Sequence, residues 1–488
     1  MSIEKRAVRG VAWNMATGLG ARVVGLIGTL VLTRFIAPAE YGEVSAAAIC
    51  VLTANQLVFF AFGQYLIANR SSAQVAFQAA IVQFGLGATA MAGVYVFRAR
   101  LGVMLDAPEM VRFIPGFALA ALVDSVRLVP SNLLVRALRF RAVAIVNSVG
   151  ELTFTGTALA LAWRGWGGYS IMAGALARSV ITSILFLATA PAAEWLRRSP
   201  LQKAVVRQLF GYGAPIMLSS VADRAASTWD NLIIMRLFGS QVMGSYALAY
   251  SLAETPLIYV AERMGDVLMP AFSKMEPAER PAAVVRAAGL MALVVAPLGV
   301  GLGAVAPTIV QAFFDTRWAG MASILTVLSV MTVFQPVAWS AIAYLQAEKM
   351  TRLIMVMSIT RATLLLGLVA LLGWLGGPVW ACAGVGAGYT VHSVLTVVLT
   401  ARVTPLPVRA YFVSVLRPLF TCVPMFAAVA ALRVFLARQG VPVAASLAAQ
   451  IVCGACVYTL AAFVLAGANV RELLRLVRPA SGLTGDSG

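Results

Sequence analysis

The feature that most constrains this chain is a succession of apolar stretches of about 20 residues, separated by short charged or Gly/Pro-rich breaks, running along its whole length. About 20 helical residues cross a hydrocarbon core roughly 30 Å thick. With 61% hydrophobic and only 11% charged residues among 488, there is more apolar surface than a water-soluble globule can hide. Lipid is therefore the expected solvent. In lipid every backbone amide needs an internal partner, so spans this continuous should be helices rather than barrel strands. The expected fold class is an all-α polytopic membrane protein.

Reading spans between breaks places helices near 11–34, 43–66, 76–97, 113–131, 143–163, 168–190, 209–236 and 242–268. Six more follow near 285–305, 320–346, 352–374, 378–401, 413–435 and 443–466, about fourteen in all. The basic start MSIEKRAVRG is followed by an apolar run too long for a signal peptide, so it reads as an uncleaved first span.

Lysine and arginine are retained on the cytoplasmic side of a membrane. Alternate connections carry Lys5/Arg6/Arg9, Arg70, Arg136/Arg139/Arg141, Arg197/Arg198/Lys203/Arg207 and Lys274/Arg280/Arg286, and later Lys349/Arg352, Arg402/Arg409/Arg417 and Arg471/Arg475/Arg478. The opposite connections hold few. Both termini are thus expected in the cytoplasm, and the net charge of +18 is explained by basic loops facing anionic lipid without any nucleic acid.

Several chemistries find no residues to carry them. The single histidine, His392, sits in an apolar span with no ligand-spaced partner. The five cysteines also lie within apolar spans; Cys453 and Cys456 spell C-x-x-C, yet packing is the expected role. GVGAGYT at 384–390 imitates a phosphate loop in spelling only, because it lies inside a span. The longest connection, around EWLRRSPLQKAVVRQ, is too short for a catalytic domain. No enzyme, metal or cofactor is expected.

The chain does contain an echo. LVLTRFIAPAEYG (30–42) and LIIMRLFGSQVMG (232–244) superpose at an offset of 202 residues, which also pairs Arg22 with Arg224 and Gly63 with Gly265. Six helices separate the copies. An even number gives both halves the same orientation, a parallel repeat. The expected domains are an N-terminal six-helix lobe (1–206), a second lobe (207–404), two further helices (405–470) and a cytoplasmic tail (471–488). Two such lobes enclose a central cavity, where substrate should go.

Within the first helix, Arg22 lies about 18 Å along the axis from Arg34, well inside the bilayer. Its stripe reads Asn14, Gly18, Arg22, Gly25, Thr29, a small and polar face suited to protein or water. Arg224 shares a face with Ser220, Ser227, Thr228 and Asn231, while Asp223 and Asp230 line its edge. Tyr246, Tyr250 and Glu254 form a ladder in the next span, and Asp124, Arg127, Glu151, Arg178 and Arg361 are further intramembrane charges. A central arginine costs roughly 2.5 to 3.5 kcal/mol on insertion scales, so each needs a reason. An i,i+3 ion pair supplies one for Asp124 and Arg127. For Arg22 and Arg224 an anionic substrate is the expected reason, with Asp223, Asp230 and Glu254 open to either charge pairing or ion coupling.

RGVAWNM (9–15), LTRFIAPAEYGEVSAA (32–47) and LLVRALRFRAVA (133–144) resemble the bacterial polysaccharide and O-antigen flippases of the multidrug/oligosaccharidyl-lipid/polysaccharide exporter superfamily. The resemblance implies a MATE-like fold in the inner membrane. It further implies movement of undecaprenyl-diphosphate-linked oligosaccharide to the outer leaflet by alternating access, through a cationic cavity to which Arg22 and Arg224 are of the right kind. Polymerase machinery for the polysaccharide is an implied neighbour, and Na⁺ or H⁺ coupling stays open. Drug-exporting relatives carry a first-helix acid that this chain lacks, and a membrane polymerase or ligase would need a large external loop.

Overall fold

The computed structural model describes residues 24–25, 27–69 and 72–477. Among them every regular element is a helix, and there is no strand. Helix α1 is described at 24–25 and 27–32. Then come α2 (Pro38–Leu57), α3 (Phe62–Ala68), α4 (Ala73–Met104), α5 (Ile114–Arg136), α6 (Phe140–Trp163), α7 (Tyr169–Thr189) and α8 (Lys203–Lys274). The rest are α9 (Arg280–Phe313), α10 (Met321–Met331), α11 (Trp339–Ala347), α12 (Thr351–Gly376), α13 (Pro378–Val403), α14 (Val408–Arg438), α15 (Val443–Leu465) and α16 (Gly467–Val477). They correspond span by span to the fourteen expected crossings, once α8 is divided at its kink and two broken spans are joined. Large apolar side chains stay exposed along the spans, as with Val96, Val103, Phe435 and Val464, because lipid is their solvent. Trp163 and Trp166 in the first unit, and Trp374 and Trp380 in the second, are exposed at span ends, where amphipathic rings suit a membrane–water interface.

The expected second span is two helices. Backbone leaves the helix at 58–61, with Ala61 left-handed (φ 49°), before α3 begins. Aromatic packing holds this break: the ring of Phe60 meets Phe210 at 4.7 Å, and Phe62 meets it at 5.6 Å. Gly213 on α8 leaves room for the Phe60 carbonyl, which a Cβ there would strike. The tenth span is likewise interrupted between α10 and α11, where Pro336 lacks an N–H and short 3-10 turns replace α-helix. Side chains satisfy the carbonyls this frees: Ser393 Oγ donates to Phe334 O at 2.9 Å, and Tyr411 Oη to Val337 O at 2.5 Å. Irregular backbone at membrane depth is tolerated only with such partners. Beyond the last span, α16 enters the expected tail region, held by the Asn469 amide, which donates to Ser414 O on α14 at 3.0 Å.

The echo of the sequence is an echo of structure. In the first copy Ala37 is extended (ψ 153°) and α2 starts at Pro38; in the second, Gly239 breaks α8 (φ 80°, ψ 179°) and helix resumes at Ser240, 202 residues on. The corners also meet. A Cβ on Gly42 would run into the Ser240 carbonyl oxygen and stand 2.9 Å from Gly244 N; one on Gly244 would strike the Pro38 carbonyl oxygen and stand 2.9 Å from Gly42 N. Bare backbone is the only surface that fits there.

The chain forms two compact units, Met1–Gly244 and Ser245–Gly488. Within the first, the arm of α8 before Gly239 docks on the early helices, Trp229 Nε1 donating to Thr53 Oγ1 at 3.0 Å. The second has its core where α9 is packed by α11, α13 and α14 around Val284, Ala341, Tyr344, Val397 and Tyr411.

Candidate functional site

In the first unit, charges sit near the middle of three neighbouring spans. On α5, Arg127 Nε binds Asp124 Oδ1 at 2.6 Å, one turn away, and its guanidinium lies 5.7 Å from the Phe186 ring. On α7, Arg178 Nη1 reaches Glu151 Oε1 on α6 at 2.8 Å. Helix α6 also faces α1: Glu151 Oε2 lies 3.9 Å from where a Cβ on Gly25 would stand, and Thr155 fills the space beside Gly28. The described part of the first helix, at Gly25 and Gly28, therefore packs toward protein. Thr29 on that stripe donates its hydroxyl to Gly25 O at 2.9 Å. Asn14 and Arg22 lie outside the described residues.

On α8, Asp223 and Arg224 are exposed near mid-span while Asp230 and Asn231 are buried. Side chains at 225, 226, 230 and 234 face the protein interior; helical spacing turns Arg224 away from Asp230, whereas Asp223, seven residues before Asp230, shares its face and is exposed two turns nearer the start of α8. Asn231 Nδ2 donates to Asp230 Oδ1 at 3.1 Å. The hydroxyls of Ser227 and Thr228 fold back on the Arg224 carbonyl at 3.1 and 2.8 Å. Ser220 is half-buried. An exposed charge at such depth faces water or another polar group, because hydrocarbon cannot solvate it.

The second unit holds a separate polar line. Tyr246 and Tyr250 are buried with their rings 5.9 Å apart, and Tyr250 Oη meets Tyr389 Oη at 2.8 Å. Glu254 accepts from Gln335 Nε2 at 3.4 Å, at the break between α10 and α11. An apolar cavity of about 400 Å³ lies among α9, α14 and α15, lined by Pro297, Leu298, Val305, Met425, Val429 and Tyr458. It offers little to a charged group. His392 is buried, its Nε2 3.4 Å from Thr396 Oγ1. The five cysteines are free thiols, Cys456 exposed on its span.

A family described as Polysaccharide biosynthesis protein matches residues 31–323, a stretch that includes both corners, Arg224, Asp230 and Glu254. The chain belongs to this family. Among its relatives, the lipopolysaccharide biosynthesis protein WzxC of Escherichia coli (strain K12) is 21% identical over 450 residues, covering 90% of each chain. The succinoglycan biosynthesis transport protein ExoT of Rhizobium meliloti (strain 1021) is 24% identical over 323 residues, 64% of each. In fold, this polysaccharide biosynthesis protein is similar to the lipid II flippase MurJ in an inward closed conformation, with a TM-score of 0.76 at 13% identity, covering 95% of this chain and 99% of MurJ. It is also similar to an inward-facing multidrug resistance MATE family transporter of the MOP superfamily, at TM-score 0.56 and 17% identity, covering 84% and 96%. The MATE-like fold implied by the resemblance is thus the fold of the chain.

Reading the sequence one helix at a time singled out Arg22 and Arg224 and left Glu151 and Arg178 among miscellaneous charges. Their pairing spans two helices, so no spacing rule within one helix could reveal it. The signal available was one acid and one base, each at mid-depth of a neighbouring span.

Proposed function

We propose that this member of the polysaccharide biosynthesis protein family is a flippase. It carries undecaprenyl-diphosphate-linked oligosaccharide repeat units from the inner to the outer leaflet of the bacterial inner membrane by alternating access. The observation that carries this reading is a set of ionisable side chains at mid-depth of α5 to α8 in a fold shared with a flippase. Membrane spans retain such residues where charge must pass. Arg224 is exposed on α8 and Arg22 is its counterpart in the repeat, and both are assigned to the diphosphate headgroup while the polyprenyl chain stays in lipid. Arginine suits the task, since its planar fork matches phosphate oxygens. Basic connections on alternate sides orient both termini to the cytoplasm.

Moving two negative charges outward across a cell-negative membrane is favoured by roughly 4.6 kcal/mol per 100 mV. The potential is then sufficient as a driving force. Asp223 and Glu254 are the groups through which Na⁺ or H⁺ would couple, whereas Asp230, buried against Asn231, suits charge pairing. A drug or cation antiporter shares this fold, but the first-helix stripe of Asn14, Arg22 and Thr29 offers a cation no counter-charge.

Deleting the gene tests the reading: lipid-linked repeat units should accumulate on the cytoplasmic leaflet. Normal external exposure of those units would refute it. Arg22→Ala and Arg224→Ala should each abolish export while the protein remains in the membrane; full activity in both would return the arginines to structural roles.

A further inference from the structure

Arg178 and Glu151 form an ion pair that joins two different spans at mid-depth, and it is an open one. Both side chains are partly exposed, Arg178 by 44% and Glu151 by 32%. Neither can present that surface to hydrocarbon, so water or a polar guest must occupy the space beside them. The geometry holds the cation in place. Gly150 on α6 is buried, and a Cβ there would lie 3.5 Å from Arg178 Cγ, so the arginine stem crosses α6 over bare backbone and ends at Glu151, one residue on. Arg178 Nη1 meets Glu151 Oε1, and the other carboxylate oxygen is turned toward Gly25 of α1, which has no side chain to cover it. Asp124–Arg127 differs: it closes on itself within one turn of α5, with an aromatic ring nearby.

A guanidinium has five N–H donors in a planar fork that binds carboxylate and phosphate alike. A carboxylate brings one negative charge and a diphosphate at least two, so a diphosphate entering this space competes for Arg178 from a stronger position. Building on the flippase reading, we propose that Arg178 is a phosphate-binding residue of the transport path and that Glu151 is its exchangeable counter-ion. Glu151 holds the arginine charge-neutral while the site is empty and is displaced when the headgroup arrives. The ligand class is a diphosphate ester. Its lipid-borne and free forms share the chemistry, and the position of the pair within the spans favours the lipid-borne one.

The test measures binding of undecaprenyl diphosphate to the full-length protein in nanodiscs, for wild type, Arg178→Gln, Arg178→Lys, Glu151→Gln and the double variant. Losing a charge-assisted hydrogen bond should weaken Arg178→Gln about tenfold to a hundredfold, and Arg178→Lys less. Removing the competitor in Glu151→Gln should tighten binding several-fold. The double variant decides. If the pair were merely structural, neutralising both partners would remove the unbalanced charge and restore wild-type affinity, and that result would overturn the proposal. If Arg178 binds phosphate, the double variant stays as weak as Arg178→Gln. Should Arg178→Gln fail to fold, as size-exclusion and thermal melting would reveal, Glu151→Gln and Arg178→Lys carry the test, and unchanged affinity in both would overturn it. Inorganic pyrophosphate serves as competitor: displacement of the lipid only at high excess is expected, and displacement at equal concentration would overturn assignment to a lipid headgroup. Wild-type protein that binds no undecaprenyl diphosphate would instead refute the flippase reading on which this rests.

Discussion

Gly42→Ala puts a methyl group where the Ser240 carbonyl oxygen already stands, and Gly244→Ala does the same to the Pro38 carbonyl oxygen. Both obstacles are backbone, one at the start of α2 and the other where helix resumes after Gly239, so no side chain can rotate away. The two corners must separate instead. Overpacking of this kind costs typically about 1–3 kcal/mol, a lowering of the melting midpoint by roughly 2–12 °C for a unit of this size. Cys50, buried on α2, provides the readout: after exposed Cys456 is blocked, reaction of a fluorogenic maleimide on heating reports the loosening of that helix. The two substitutions address one shared contact. Once the first has pushed the corners apart, the second should add little, so the double variant should fall short of the sum by about 0.5–3 kcal/mol. A Gly42→Ala variant that melts like wild type, or two effects that simply add, would refute the reasoning.

Other outcomes follow from the same geometry. Tyr411→Phe removes the hydroxyl that donates to Val337 O and pairs with Ser340, and should destabilise the second unit by about 1–3 kcal/mol in thermal melting. Asp230→Ala leaves the buried Asn231 amide without this carboxylate and should cost a similar amount, whereas Arg224→Gln, on an exposed position, should melt like wild type and lose export. Arg236→Gln breaks a 3.6 Å contact with Asp106 between side chains 58% and 78% exposed; its effect should stay below about 1 kcal/mol and shrink further in high salt.

Much of this molecule was legible in one dimension because lipid imposes a rule on each span separately. A segment must be long, apolar and helical to cross, so span number could be read by inspection, and basic residues mark one side of the connections. The repeat was legible too, since an offset of 202 residues requires only that two segments be compared, and its corners coincide at Pro38 and Ser240. The breaks were not. The interruption at 58–61 depends on Phe210 and Gly213, some 150 residues away, and that between α10 and α11 on hydroxyls from α13 and α14. Neither partner announces itself in the local pattern.

The same division runs through the candidate site. Composition and periodicity alone determined that this chain lives in lipid, that it is built twice, and that arginines at mid-depth demand an explanation, because the cost of a charge in hydrocarbon falls on each residue whatever its neighbours. Tertiary structure alone decided which charges have company. It turned Asp230 inward to Asn231, closed Arg127 onto Asp124, and brought Arg178 from α7 across a glycine to Glu151 on α6. Pairing is a matter of a few ångströms between helices, and no spacing along a single helix encodes that distance.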